Sequence, residues 1–160
     1  MKCKSRYCVP LLLSILIAGC TTISLKDAKK IAISNNAPIL ITELRTGYPN
    51  SAAGVNLYVN FINLSQKAIK YADITVVAIN RVGDPVYGQI RRRRTRTVQC
   101  MGPVNPDTQW HSVFNSTWFE NIWYSRNINS LKLETVNITY MDGTTEEISE
   151  SARLDVMIAK

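Results

Sequence analysis

Apolar and polar residues alternate one by one in Val55-Asn56-Leu57-Tyr58-Val59-Asn60-Phe61. Successive side chains of an extended chain point to opposite faces, so this stretch predicts a β-strand with one face toward a core. Residues 69–80 differ because they are apolar on both faces, with Val76 on one and Val77 on the other. A strand of that kind is expected at the centre of a sheet.

Weaker strand signals follow these two segments. Residues 86–90 and 95–100 are expected to pair with each other as a hairpin, and residues 110–114 form a weaker candidate strand. Between these segments, Pro103 and Pro106 predict a break in which no sheet ladder can form, because proline has no backbone N–H to donate.

The C-terminal part of the chain predicts three more strands. Residues 131–140 are strongly apolar, but their apolar phase shifts between Leu133 and Val136, and a β-bulge would absorb that shift. Asp142-Gly143 is a hairpin dipeptide that leads into a further strand. A last strand is predicted by the alternation of Leu154, Val156 and Ile158.

Strands spaced at intervals of about 8–12 residues predict an all-β fold, an antiparallel β-sandwich of about 7–9 strands. A chain of 160 residues, 46% hydrophobic and 19% charged, is enough for one domain with its own core. Only 7 Gly and 6 Pro are present, which excludes a collagen-like or low-complexity chain.

Several turn and strand motifs resemble the Ig-like β-sandwich domains of bacterial exported proteins. They are residues 63–71 and 80–86, the break from Gly102 to Pro106, the pair Trp123-Tyr124 and the hairpin Tyr140-Met141-Asp142-Gly143. The resemblance covers roughly residues 39–148. It implies the Ig-like fold and carries no activity and no binding residues with it. An arginine-rich run at residues 91–96 departs from the pattern.

The N-terminus has the pattern of an export signal. Lys2, Lys4 and Arg6 precede an apolar run of about ten residues, whereas a membrane-spanning helix needs about 20. Loss of this segment with its three cations lowers the formal net charge from +7 to +4. Much of the basic character of the chain therefore belongs to the signal.

The end of the signal, Ile17-Ala18-Gly19-Cys20, resembles the lipobox of bacterial lipoproteins. That resemblance implies acylation of the Cys20 thiol and cleavage between Gly19 and Cys20. The residue after the cysteine is Thr21 and not Asp. By resemblance to lipoprotein sorting, this implies the outer membrane, facing the periplasm, if the host has two membranes.

These signals divide the chain into three parts: a lipoprotein signal peptide at residues 1–19, a lipidated tether at residues 20–38 and the sandwich domain at residues 39–160. Within the tether, a short helix over residues 27–33 is compatible with the sequence, with Asp27 as its cap.

Cys100 is the one thiol expected to remain in the mature domain. Cys3 and Cys8 leave with the signal and Cys20 carries lipid, so no disulfide can form within the mature chain. Free cysteines are often buried as small apolar residues, and we expect Cys100 in the core. A functional thiol is the alternative.

The most conspicuous feature of the sequence is a run of five arginines in six residues: Arg91, Arg92, Arg93, Arg94 and Arg96. Confined to one loop, they would create a strong positive potential, and arginine forks match phosphate and carboxylate groups. The candidate partners are anionic lipid, lipopolysaccharide or a cell-wall polymer. The alternative is a solvated hairpin in which the arginines pair with acidic residues across strands. Nucleic acid is not expected for an exported, lipid-anchored chain.

The sequence offers little for catalysis, and no enzyme activity, metal or cofactor is predicted. His111 is the single histidine, and motifs for a nucleophile elbow, a Cys-x-x-Cys pair or a phosphate-binding glycine loop are absent. Asp142 is expected to cap its turn. The aromatic residues between Trp110 and Tyr124 are expected mainly in the core, which must be apolar because no disulfide supports it.

The sequence therefore predicts a lipid-anchored cell-envelope protein with a non-catalytic interaction or structural role. Its candidate partners are the membrane, through the anchor, an anionic envelope component and a protein. Two alternatives stay open: a subunit of an envelope-spanning secretion or conjugation assembly, and an envelope hydrolase that uses His111 with a nearby acid.

Overall fold

A computed structural model describes residues 23–89, 92–110 and 118–159, with only the backbone of Trp118. The signal predicted at residues 1–19 and the lipidation site at Cys20 lie outside these ranges. In chain order the elements are α1 (Leu25–Ser34), β1 (Ile39–Thr46), β2 (Gly54–Asn63), β3 (Ile69–Ile79), β4 (Thr95–Val104), β5 (Trp118–Tyr124), β6 (Ser130–Tyr140), β7 (Thr145–Ile148) and α2 (Ser151–Val156).

The strands form two antiparallel sheets, one in the order β1-β2-β5 and the other in the order β4-β3-β6-β7. The apolar face of β2, with Leu57, Val59 and Phe61 fully buried, packs in the core between them. The predicted all-β antiparallel sandwich is confirmed, with seven strands in the described residues. The central place of β3, between β4 and β6, is confirmed as well.

The bulge predicted in β6 is present at Glu134. Thr75 of β3 pairs with Thr135, and the next residue, Val76, pairs with Leu133, so Glu134 has no opposite residue. The extra residue restores the alternation, and both Leu133 and Val136 are buried.

The hairpin predicted between residues 86–90 and 95–100 is wrong. Pro85 bridges to Ile79, the Val86 amide donates to the Ala78 carbonyl at 2.7 Å, and β4 begins at Thr95 opposite Val77. Both segments therefore lie in line along one edge of β3. The eleven-residue β3 is longer and more apolar than either segment, so each segment pairs better with β3 than with the other. The residues between them form a loop that leaves the sheet.

The predicted break at Gly102 to Pro106 begins later than expected, because β4 runs through Pro103 to Val104. The Gly102–Pro103 peptide bond is cis. Strand β4 lies at the edge of its sheet, where a residue without an N–H is tolerated. Glycine is required at position 102, since a Cβ there would overlap the Ile69 carbonyl oxygen.

The last strand predicted from Leu154, Val156 and Ile158 is wrong, because Leu154 and Val156 lie in α2, and Ile158 beyond the helix forms only an isolated bridge with Ile41. Leu154 and Met157 are the buried residues, three positions apart as on a helix. A pattern of five residues is too short to distinguish the two periods. After α2 the chain covers the edge of β1: the Ile41 amide donates to the Met157 carbonyl, and the Ala159 amide donates to the Ile41 carbonyl at 2.9 Å.

Helix α1 lies within residues 20–38 and packs on the sandwich through the buried Ala28 and Ala32. It starts earlier than the sequence suggested, and its N-cap is Ser24, whose hydroxyl accepts from the Asp27 amide at 3.2 Å. None of the helices in the described residues has the length and apolar character needed to span a membrane.

Candidate functional site

The predicted arginine run lies in the loop between Val86 and Thr95, which we call the arginine loop (residues 87–94; residues 90 and 91 are outside the described ranges). The loop leaves the edge of β3 and crosses to the other sheet, where the Gln89 amide donates to the Tyr124 carbonyl of β5 at 3.2 Å. The Arg92 amide donates to the Gly88 carbonyl at 2.9 Å. Backbone bonds thus hold the loop across one end of the sandwich.

Arg96, the second residue of β4, supports this loop. Its Nε donates to the Ile122 carbonyl of β5 at 2.9 Å, and a terminal nitrogen donates to the Arg93 and Thr95 carbonyls at 3.1 and 2.9 Å. The guanidinium lies against Gly88, where a Cβ would be only 2.5 Å from it. Most of its donors are therefore occupied by backbone oxygens, and we leave Arg96 out of the surface available to a partner.

The remaining arginines divide into two kinds. Arg94 forms an ion pair with Glu134, the bulge residue of β6. For this residue the alternative prediction, an arginine paired with an acidic residue on another strand, is correct. Arg92 and Arg93 are exposed, and their side chains have no hydrogen-bond or ion-pair partner among the described residues. Arg91 lies outside the described residues.

Next to Arg92 the loop encloses an open cavity of about 610 Å³, lined by Tyr87, Gly88, Gln89 and Arg92. Tyr87 is 58% exposed. An exposed aromatic ring beside a guanidinium provides apolar contact area and charge in one place, a combination that is enriched at binding surfaces.

The topology brings further residues to this end of the sandwich that sequence reasoning missed. Tyr48, in the loop between β1 and β2, is 98% exposed. Arg81 lies in the turn that follows β3, and Arg126 in the loop that follows β5. These residues stand alone in the sequence, so only the arrangement of the strands shows that they share an end with the arginine loop.

Of the aromatic residues between Trp110 and Tyr124, Trp110 and Trp123 are buried in the core and Phe119 packs against it, as predicted. Trp110 lies between Phe61 and Phe119, with ring centroids 5.8 and 6.3 Å apart and nearly parallel planes. Its indole N–H donates to the Met101 carbonyl at 3.0 Å, and Trp123 is fully buried. These rings are therefore unavailable as a carbohydrate platform.

Cys100 is fully buried in the core, as predicted. Burial raises the pKa of its thiol well above the ordinary value, and the nearby Asp73 carboxylate raises it further. The thiolate form is disfavoured, so the site does not support a reactive thiol. Within the described parts of the chain no group of three or more His, Cys, Asp or Glu side chains could hold a metal ion.

Asp142 caps its turn, as predicted. Its carboxylate accepts from the Thr144 amide and hydroxyl at 2.9 and 2.6 Å and forms an ion pair with Lys67 at 2.7 Å. The bonds from Lys67 and Thr144 hold the pKa of this carboxyl well below its usual range. His111, on which the hydrolase alternative depends, lies outside the described residues, as do residues 111–114 of the weaker candidate strand.

No protein-family model matches the chain, and no curated protein matches it. Solved structures with a similar arrangement include IrmA from Escherichia coli, at 13% identity and a TM-score of 0.47, covering 71% of this chain and 86% of that one. A hypothetical protein from Peptoclostridium difficile 630 is 10% identical with a TM-score of 0.44, and the match covers 77% of this chain and 92% of that one.

Proposed function

We propose that this chain is a lipid-anchored protein of the cell envelope with a non-catalytic interaction role, in which the arginine loop contacts an anionic envelope component. The observation that carries the proposal is the pair of exposed guanidinium groups of Arg92 and Arg93, which have no acidic partner among the described residues. The target chemistry is the phosphate or carboxylate groups of anionic lipid, lipopolysaccharide or a cell-wall polymer.

The described residues of the loop are suited to binding because hydrogen bonds already hold them in place. Backbone bonds at Gln89 and Arg92 and the side chain of Arg96 hold it in place. Binding of a partner would therefore cost little backbone conformational entropy, and most of the electrostatic attraction would contribute to the affinity.

The anchor is supported by the sequence at Ile17 to Cys20. Ser24, the N-cap of α1, follows Cys20 by four residues, which span at most about 14 Å of extended chain. Two or three acyl chains bind a bilayer almost irreversibly, at about 0.8 kcal/mol per buried methylene. An acylated Cys20 would thus keep the sandwich close to a membrane surface. In a host with two membranes, that surface would be the periplasmic face of the outer membrane.

The anchor is tested by metabolic labelling with radioactive palmitate. Label should enter the wild-type chain and be lost in Cys20→Ser, and the mature protein should begin at Cys20. An unlabelled wild-type chain, or a mature protein that still begins at Met1, would refute the anchor.

The arginine contact is tested with the full chain in detergent micelles, by measuring its binding at low salt to soluble anionic lipid headgroups and to purified anionic cell-wall polymer, with a soluble zwitterionic headgroup for comparison. The double variant Arg92→Ser/Arg93→Ser should lose about 30-fold in affinity for its anionic target, because each cation near an anionic surface contributes about 1 kcal/mol. The control Lys30→Ser/Lys70→Ser removes two exposed cations elsewhere. Equal losses in both variants, or none in either, would exclude a specific role of the loop.

The assembly-subunit alternative is favoured by one observation on the surface of α1. Leu25, Ile31 and Ile33 in α1, and Ile23 just before it, are 42–53% exposed, an unusual amount of apolar surface for one short segment. If α1 is an assembly interface, the full chain should form a complex of defined size in light scattering, and Ile31→Ser/Ile33→Ser should dissociate it. A monomer before and after the substitutions would exclude that interface.

A further inference from the structure

A polar groove of about 520 Å³ lies between the turn that follows β3 and the loop that follows β5. Its lining residues are Asn80, Arg81, Val82, Arg126, Asn127, Ile128 and Asn129. The groove shares none of them with the arginine loop. Its volume is within the range of pockets that hold small ligands, about 300–1,000 Å³.

One wall of the groove is fixed by Asn80. Its side-chain oxygen accepts from the backbone amides of Val82 and Asp84 at 3.0 and 2.9 Å. The backbone amide of Asn80 donates to the Asp84 carbonyl at 2.9 Å. Asn80 lines the groove, and because its side-chain oxygen is used within the turn, its side-chain NH₂ group is the part left to donate to a ligand.

The opposite wall is fixed by backbone bonds and by Arg126. The Asn129 amide donates to the Ile79 carbonyl at 2.8 Å, and the Asn127 amide donates to the Ser125 hydroxyl at 3.2 Å. One terminal nitrogen of Arg126 donates to the Ser51 carbonyl at 2.8 Å, which ties the wall to the neighbouring loop. Both walls are thus formed before any ligand arrives.

The chemistry of the lining selects for an anion that carries hydroxyl groups. Arg81 and Arg126 approach from opposite walls, and none of the seven lining residues is acidic. Three asparagine side chains can exchange hydrogen bonds with hydroxyl groups, and Val82 and Ile128 offer apolar contact to the C–H face of a sugar ring. Arginine forks bind phosphate oxygens bidentately.

We propose that this groove binds a phosphorylated saccharide, with the phosphate between Arg81 and Arg126 and the sugar hydroxyls on the asparagine amides. The proposal deepens the envelope role by naming a ligand class, and it does not depend on the arginine loop. Sugar phosphates of this kind can come from a glycolipid headgroup or from a cell-wall polymer, which share the same recognised chemistry.

The test is a titration of the full chain in detergent with glucose 1-phosphate, followed by the side-chain ¹⁵N–¹H signals of arginine and asparagine. Glucose and inorganic phosphate are titrated separately. The sugar phosphate should bind saturably and at least about tenfold more tightly than either part, because both the fork and the amides are used. Arg81→Gln should lower the affinity about tenfold, and the wild-type fold should be retained because Arg81 is exposed.

Lys30→Gln is the control, since it removes one exposed cation that lies outside both the groove and the arginine loop. An equal loss in Lys30→Gln would show non-specific electrostatics and overturn the proposal. Inorganic phosphate bound as tightly as the sugar phosphate would overturn the saccharide assignment, and no saturation would overturn the site. Headgroup or polymer binding that depends on Arg92 and Arg93 would stand in each of these cases, so the two failures are distinguishable. Among ligand sources, an isolated glycolipid headgroup and a soluble polymer fragment are then compared in the same titration.

Discussion

The structure predicts that one arginine of the run supports the fold while its neighbours do not. Arg96→Met retains most of the aliphatic stem but removes every guanidinium donor. The loss includes the bond from Nε to the Ile122 carbonyl at 2.9 Å, which connects β4 to β5 across the two sheets. The substitution should therefore destabilise the whole sandwich and not only the loop.

The magnitude follows from the three bonds. Two of them go to the nearby Arg93 and Thr95 carbonyls in a partly exposed region, so water can replace them at little cost. The bond to Ile122 joins a charged donor to a part-buried carbonyl, and its loss costs about 1.5–3 kcal/mol. We expect a total of about 2–3 kcal/mol, whereas Arg92→Met and Arg93→Met, at exposed positions, should stay within about 0.5 kcal/mol.

The assay is urea denaturation of the full chain, followed by the fluorescence of the buried Trp110 and Trp123. The midpoint should fall in Arg96→Met with no change in the slope, and the three variants should be compared at equal protein and detergent concentrations. If Arg96→Met were no less stable than Arg93→Met, the assignment of Arg96 as a supporting residue would be refuted. Arg96→Lys should recover little, because an ammonium cannot reproduce the fork.

Three further predictions concern the core and the turns. Gly102→Ala should destabilise the fold by at least about 2 kcal/mol in the same assay, because its Cβ would overlap the Ile69 carbonyl oxygen. Gly83→Ala has open space around the new Cβ and should cost only about 1–2 kcal/mol, which comes from its φ of +91°. Equal costs of the two substitutions would contradict this reasoning. Cys100 should resist iodoacetamide in the native chain and react after unfolding, as mapped by peptide mass; rapid native labelling would show it is accessible. Burial raises the pKa of Tyr140 from 10.0 to about 12, and the Glu146 carboxylate adds to this effect. Between these pH values the native state keeps a proton that the unfolded chain loses. The stability of the fold should therefore fall as pH rises through this window. Tyr140→Phe should lose less stability there, and an unchanged alkaline slope would refute the cause.

The parts of the fold that the sequence predicted correctly are those in which a local pattern determines the burial. The alternation around Leu57 and the two-faced apolar character of β3 each follow from the period of two over seven or more residues. The phase shift between Leu133 and Val136 predicted the bulge at Glu134, because a strand with one buried face must restore its register.

The errors have a common physical cause, which is competition from distant partners. Residues 86–90 and 95–100 could form a hairpin by themselves, but the edge of β3 gives both segments a better partner. Leu154 and Ile158 carry too short a pattern to separate helix from strand. Helix α1 was hard to place because the residues that it buries, Ala28 and Ala32, are small and give a weak apolar signal.

The candidate site was predictable in its composition but not in its geometry. Five arginines in six residues are visible in any reading of the chain. Their different roles depend on an acceptor from β5, the Ile122 carbonyl, and an acid from β6, Glu134, neither of which the local sequence reveals. The groove at Arg81 and Arg126 gave no sequence signal, since its two walls are joined only by the topology.

These roles determine which experiments on the arginine run can be interpreted. Five like charges in six residues repel one another, and the structure relieves that repulsion by placing Arg96 on backbone carbonyl dipoles and Arg94 beside Glu134. Replacing all five arginines would remove the support of the loop together with its exposed charges, so a loss of binding would not separate a missing contact from a distorted fold. Substitution of Arg92 and Arg93 alone removes charge from the surface and leaves the bonds of Arg96 and Arg94 intact. A binding defect in that variant, with an unchanged urea midpoint, can only come from the charges themselves.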